Sequence, residues 1–232
     1  MPAAPERFVL YAHGFASGPA SHKAAIIRKQ VEALCDRFLV PDLNTPTFAT
    51  TTLSAQIGRL EELFGLLKAK GTETLLIGSS MGAYVALRAA ARVTGVVQRF
   101  VLLSPVIRLA TLRIPWIHGP LAAEWKSTGH LLVYHHTQGT MVPLGSGFLA
   151  DIEDHAARVA PERPPVPVTF VHGKSDDIVP LEDSRQLAAL WSARLVELCD
   201  GHLLAESGPQ VVEEVLLACR ELGWEAPPHD LS

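Results

Sequence analysis

At 232 residues the chain has the length of one α/β domain, able to bury roughly 70% of its unfolded surface without disulfide or metal staples. Hydrophobic residues make up 48% and charged residues 19%, a balance that excludes a disordered chain. The net charge of −4, with no Lys/Arg cluster, argues against nucleic acid or an anionic membrane as partner, since both demand a basic patch.

Short apolar runs alternate with longer stretches of helical period. Phe8 to Ala12 reads as a strand ending at His13-Gly14, and about Ser21 to Cys35 as a helix with Ser21 as its N-cap. Phe38 to Val40 is the next strand. A helix follows from Thr52 to about Lys70, with Leu53, Ile57, Leu60, Phe64 and Leu67 on one face and Gly71 ending it. Thr74 to Ile77 is a strand, Ala83 to about Val93 a helix, and Arg99 to Leu103 a strand.

The pattern breaks between about residues 106 and 165. Within that stretch His130–His136 and Thr140–Leu144 read as a hairpin around Thr137-Gln138-Gly139, and Gly147 to about Val159 as a helix. The βα series then resumes: a strand at Val166–Val171, a helix at about Leu181–Ser192, a strand at Arg194–Leu198 and a helix at about Pro209–Leu222. The tail after Trp224 reads as frayed. Repeated βα units imply a mainly parallel sheet with helices on both faces. Ligands bind such sheets at the carboxyl ends of the strands.

That edge is where the reactive residue types collect. Gly78-x-Ser80-x-Gly82 sits between a strand and a helix, and glycines two before and two after a serine let neighbouring backbone approach a tight turn. Position selects Ser80 over Ser79. A serine hydroxyl needs a base, and the base an orienting acid. Two later strands run into His172 to Pro180 and into Cys199-Asp200-Gly201-His202, so His202 is the candidate base and Asp176 the candidate acid. Each residue also has an ordinary reading: Ser80 as a helix cap, Asp176 as a turn residue, His202 as a loop histidine. What favours chemistry is three motifs in order after the right strands.

With these motifs the chain resembles the α/β-hydrolase superfamily. His172-Gly173-x-x-Asp176-x-x-Val179-Pro180 is similar to that family's acid loop, whose fifth residue is the acid; Asp177 stands as the alternative. The run from His13 to Ala24, HGFASGPASHKA, resembles small bacterial YqiA-type esterases, and HGKSDDIVP resembles mitochondrial palmitoyl-thioesterase relatives. The resemblance implies an α/β-hydrolase fold with a sheet of about six or seven strands, trimmed because the first strand begins by Phe8. It implies oxyanion donors in the backbone N–H groups of Phe15 and Met81, and a loop-holding role for His13.

The expected organisation is a single domain over residues 1–232, with a small apolar cap inserted at 106–165. The expected activity is hydrolysis of carboxylic esters or thioesters of small to medium acyl groups, with no cofactor and no metal. The same residues also serve C–C, amide or acyl-glucuronide cleavage, and the fold also serves as a non-catalytic binding module.

His135 and His136 are adjacent on a strand and point to opposite faces, a poor ligand pair. Asp151, Glu153, Asp154 and His155 read as a solvated helix face. Trp116, Trp125 and Phe148 read as packing that also lies in the right segment to line an acyl pocket. The expected partner is a small-molecule acyl ester or thioester, with no nucleic acid and no stable membrane insertion; the oligomeric state is open. Cys35, Cys199 and Cys219 read as buried free thiols of a reducing compartment. No basic stretch precedes a long apolar run at the N-terminus, and no run approaches 18 apolar residues, so the expected location is cytoplasmic.

Overall fold

In the computed structural model, residues 4–226 are described. The expected frayed tail lies largely outside them. The chain runs β1 (Arg7–Ala12), α1 (His22–Val31), β2 (Arg37–Leu39), α2 (Leu53–Lys70), β3 (Glu73–Ser79), α3 (Met81–Arg92) and β4 (Val97–Leu103). After two short 3-10 turns come α4 (Gly119–Thr128), the hairpin β5 (His130–His135) and β6 (Thr140–Gly145), and α5 (Gly147–Ala156). The series closes with β7 (Val168–Gly173), α6 (Leu181–Trp191), β8 (Arg194–Leu198) and α7 (Gly208–Glu221).

Six strands form one sheet in the order β2-β1-β3-β4-β7-β8, and every pair is parallel. The strands are apolar on both faces because helices cover both. Val9, Tyr11, Leu75, Ile77, Val101 and Val171 face α1 and α7. Leu10, Leu76, Leu102 and Phe170 face α2, α3, α6 and the inserted segment. Strand order reverses between β1 and β3, so the loops leaving their carboxyl ends part and open a crevice there.

Local signals set the helix ends. The Thr52 hydroxyl accepts from Ala55 N at 3.0 Å, a cap worth about 1 kcal/mol. Gly71 closes α2 at φ 68°, the left-handed conformation that glycine takes at no steric cost. At the β3–α3 junction two boundaries differ from expectation. β3 continues through Gly78 and Ser79, which pair with Leu102 and Leu103, and α3 begins at Met81 rather than Ala83. The strand-to-helix turn therefore shrinks to Ser80 alone.

The inserted segment holds the hairpin as expected, with α4 as an additional helix. Its hairpin is two-sided. Leu131, Val133, Val142 and Leu144 turn towards the core, while Leu132, Tyr134 and Met141 are exposed, so four of these seven apolar residues face inward. His135 is buried and His136 exposed, as alternation requires. Trp125 and Phe148 are fully buried, and Trp125 Nε1 donates to Leu144 O at 2.9 Å. The hairpin tip grips the loop after β1, where His136 N donates to Ala16 O at 2.8 Å.

Two expectations are corrected. Asp151 and His155 are not on a solvated face: His155 is 1% exposed, and both bond to Ser54, leaving Glu153 and Asp154 outside. Of the three free cysteines only Cys219 is buried, in the α1–α7 layer; Cys35 is half-buried and Cys199 exposed.

Candidate active site

The β3–α3 turn puts Ser80 at φ 52°, ψ −120°, a conformation non-glycine residues rarely adopt. The surrounding backbone fixes it there. Ser80 N donates to Leu103 O at 2.9 Å, and Ser80 O accepts from Ala83 N at 3.0 Å and Val106 N at 3.1 Å. The flanking glycines are required by close approach. A Cβ on Gly78 would stand 2.6 Å from Ala83 Cα, and one on Gly82 would collide with the carbonyl oxygens of Ala12 and His13. The result is a half-buried hydroxyl held at the N-terminus of α3.

His202 arrives on the loop after β8. Asp200 shapes that loop, with Oδ1 accepting from Gly201 N at 2.7 Å and Oδ2 from Glu206 N and Ser207 N at 2.9 and 2.8 Å. Burial works against the Asp200 carboxylate, but these bonds outweigh it and hold the group below its ordinary pKa. His202 Nε2 lies 2.9 Å from Ser80 Oγ and Nδ1 lies 2.8 Å from Asp176 Oδ2. The carboxylate fixes the proton on Nδ1, leaving Nε2 to accept from the serine hydroxyl.

Asp176 is 6% exposed and accepts four hydrogen bonds. Oδ1 takes Ile178 N at 2.9 Å and Val179 N at 2.8 Å. Oδ2 takes His202 Nδ1 and also His172 Nε2 at 3.0 Å. Burial raises the pKa of this carboxyl, yet the bonds from His172, His202 and the backbone override it and hold the group well below the usual carboxylate range. Asp177 is exposed and takes no part.

His172 is wholly buried. Its Nε2 faces two acceptors, Asp176 Oδ2 and Val179 O at 3.2 Å, which places the proton there, so Nδ1 accepts from the Ser184 hydroxyl at 2.8 Å. The His-Gly pair of the acid-loop motif was a visible signal for His172. Ser184, on α6, carried none.

The loop after β1 closes the other side. A Cβ on Gly14 would stand 3.3 Å from Ser80 Cβ, so this backbone runs against the serine. His13 holds it, with Nδ1 donating to Gly14 O and Nε2 accepting from Leu43 N, both at 3.0 Å. Burial lowers the pKa of His13 and favours this neutral form. Outside helices and strands, neither Phe15 N nor Met81 N donates to another protein group among the described residues, and Met81 is the first residue of α3, whose N–H has no intrahelical acceptor. Behind the site on α1, burial pulls Lys23 down to about 8 although Asp200 and Asp176 oppose the shift.

This arrangement, a strained serine, a histidine on a carboxylate and the adjoining loop of Gly14 and Phe15, lies at the crevice between β1 and β3. The model of an uncharacterised protein family, UPF0227, matches residues 8–206. The chain belongs to the UPF0227 family. No curated protein matches it in sequence. Among solved structures, alpha/beta hydrolase domain-containing protein 10 from mouse is 17% identical at a TM-score of 0.71, with 93% of this chain and 90% of that chain covered. Est1E from Butyrivibrio proteoclasticus, solved with ferulic acid bound, is 19% identical at 0.68, covering 94% and 89%. A monoacylglycerol lipase from Paleococcus ferrophilus is 18% identical at 0.68, covering 91% and 93%. At these identities the likeness is one of fold, and this UPF0227 chain has the α/β-hydrolase fold.

Proposed function

We propose that the protein is a serine hydrolase that cleaves carboxylic esters or thioesters of small to medium acyl groups, using Ser80 as nucleophile, His202 as general base and acid, and Asp176 as the orienting carboxylate. The observation that carries this reading is the continuous hydrogen-bonded path from Ser80 Oγ through His202 to Asp176, at 2.9 and 2.8 Å. Ser80 Oγ attacks the acyl carbonyl as His202 Nε2 takes its proton, and Asp176 stabilises the imidazolium. The carbonyl oxygen becomes an oxyanion against Phe15 N–H and Met81 N–H, each such donor being worth about 2.7–4 kcal/mol in the transition state. His202 protonates the leaving oxygen or sulfur. It then deprotonates a water that attacks the acyl-enzyme and releases the acid, restoring Ser80.

The segment 106–165 serves in this reading as a cap on a single domain. Phe15 lies at ring-centroid distances of 5.2 Å from both Trp116 and Phe148, so the oxyanion loop and the cap share an aromatic wall. Phe15 and Trp116 are the half-buried members, and Trp116 is the one the inserted segment offers to an acyl chain. Est1E with its ferulic acid and the monoacylglycerol lipase support an ester substrate on the same fold. No helix among the described residues is long and apolar enough to cross a membrane. Together with three free thiols this supports a place in the cytoplasm.

The test is a hydrolysis panel: p-nitrophenyl esters from acetyl to palmitoyl, with acyl-CoA and other S-acyl thioesters, against wild type and Ser80→Ala. Activity that disappears in the mutant is expected. A folded wild type inert towards the whole panel and towards fluorophosphonate labelling would overturn the reading.

A further inference from the structure

A second cavity, about 180 Å³, lies beside α3, between that helix, the turn at residues 107–110 and the segment running out of α5. Ser80, His202 and Asp176 do not line it. Tyr84 and Arg88 do, four and eight residues after Ser80, which at 1.5 Å per residue puts this wall about 6–12 Å down the helix from the serine.

The lining has one sign of charge. Arg88, Arg108 and Arg158 contribute to it, and no carboxylate does. Arg108 is already neutralised, since it donates to Asp183 Oδ1 at 2.7 Å and to Gln186 Oε1 at 2.9 Å. Arg88 is not. Its guanidinium lies over the Tyr84 ring at 5.1 Å, one terminal nitrogen donates to Val159 O at 2.5 Å, and its Nε is buried without a partner. Arg158, on the inserted segment, makes no ion pair among the described residues.

The polar groups at the back are spoken for. The Ser54 hydroxyl donates to Asp151 Oδ1 at 2.7 Å, so it accepts from His155 Nε2 at 3.0 Å, and His155 Nδ1 in turn accepts from Tyr84 O–H at 3.0 Å. Asp151 lies 3.9 Å behind His155 and is held by the Ser54 backbone N–H and hydroxyl. It is not a counter-ion within the cavity.

Arg88 Nε is closed off from solvent, so an occupant of the cavity meets the terminal guanidinium nitrogens and not this N–H. Each guanidinium carries the planar fork that recognises oxyanions, and two without a carboxylate partner line this cavity. The volume holds about six waters at about 30 Å³ each and falls below the roughly 300 Å³ of a drug-sized pocket. We propose that this cavity is a binding site for a small phosphate group, held by Arg88 from α3 and Arg158 from the inserted segment, and that occupancy pins the segment to the body of the fold. A phosphate dianion is favoured over a carboxylate because it offers more acceptors than one guanidinium can use. The inference does not rest on the hydrolase reading.

The test is calorimetric titration and thermal melting of the full chain with inorganic phosphate, glycerol phosphate and acetate, against chloride at matched ionic strength. Saturable one-to-one phosphate binding is expected, retained in Ser80→Ala and weakened at least about 10-fold in Arg88→Gln and in the surface variant Arg158→Gln. Phosphate at about 100 times its Kd raises Tm by about 5 °C or more. Tighter binding of glycerol phosphate assigns the group to a phosphorylated metabolite; equal binding assigns it to the free ion. No saturable effect beyond chloride, unchanged affinity in Arg158→Gln, or loss of binding in Ser80→Ala would each overturn the proposal.

Discussion

Between Ser184 and Ser80 a single file of side chains runs through His172, Asp176 and His202, and each member fixes the proton of the next. Groups that act as one unit fail together. Ser80→Ala and His202→Ala are each expected to lower kcat by at least about 10⁴-fold, and the double variant little further, leaving roughly 10³–10⁴-fold over water from the oxyanion donors and binding. Additive losses in single-turnover assays would show that the two side chains do not work as a pair. Ser184 is too far along the file to touch substrate and acts as a positioning residue. Ser184→Ala leaves His172 Nδ1 buried without a donor, at a cost of about 1–3 kcal/mol in stability. If the file matters, kcat falls with KM unchanged, and Ser184→Thr, which keeps the hydroxyl, restores it. A variant that melts early yet keeps full kcat would make Ser184 purely structural. Of these residues Ser80, His202 and Asp176, the three proposed to react, stood out in the sequence because each sits in a motif after a strand. Ser184 did not, because a serine inside an amphipathic helix has no signature until its partner is known.

At the level of elements, close backbone contacts decide what each turn tolerates. A Cβ on Gly173, at the end of β7, would stand 2.5 Å from Asp200 O and closer still to Gly201 O. Gly173→Ala therefore displaces the loop that carries His202. The expected result is a drop in kcat of at least about 10-fold, since a displacement near 1 Å can cost about 10²-fold. Gly65, exposed in the middle of α2 with nothing around it, is the contrast: Gly65→Ala should raise Tm by about 2–4 °C and leave kcat alone. Equal kinetics in the two variants would remove the argument for the β7–loop contact. The inserted segment, proposed as a cap, makes a separate prediction. Trp116→Ala should raise KM for long acyl chains by about 10-fold and spare acetyl esters, while an unchanged chain-length profile would place the acyl pocket elsewhere. The central βα elements were readable because short apolar runs end at Gly, Pro or polar turns. α4 was not: among its ten residues only Ala122 and Trp125 are buried, too few to raise a helical period above the noise. Asp151 and His155 misread for the opposite reason, being polar groups turned inward because Ser54 and Tyr84 meet them there.

For the whole molecule, the order of strands brings Ser80 and His202 together across 122 positions of sequence, and that order follows from right-handed βα crossovers on either side of the β1/β3 switch. Repeated βα patterning forecast the parallel sheet. It did not forecast how the polar interior is satisfied, and that interior governs the response of the fold to pH. His13, His135 and His155 are each at most 3% exposed, and burial lowers the pKa of all three. A histidine kept neutral in the fold binds fewer protons than it does unfolded. Its stabilising effect is therefore complete above the unfolded pKa, about 6.5, and is lost as pH falls from there towards the folded value. Each imidazole contributes a slope of up to about 1.4 kcal/mol per pH unit in that window. Asp176 and Asp200 are depressed carboxylates, so their contribution is intact above about 4 and is lost only below it. Tm should thus fall in two limbs, the first setting in below about pH 6.5 from the histidines and the second below about 4 from the carboxylates. His155→Gln should flatten the first limb and leave the second. Thermal melts that stay level from pH 7 to pH 5 would mean that the buried imidazoles are not held neutral, and the tautomers assigned to His13 and His155 would fall with that result.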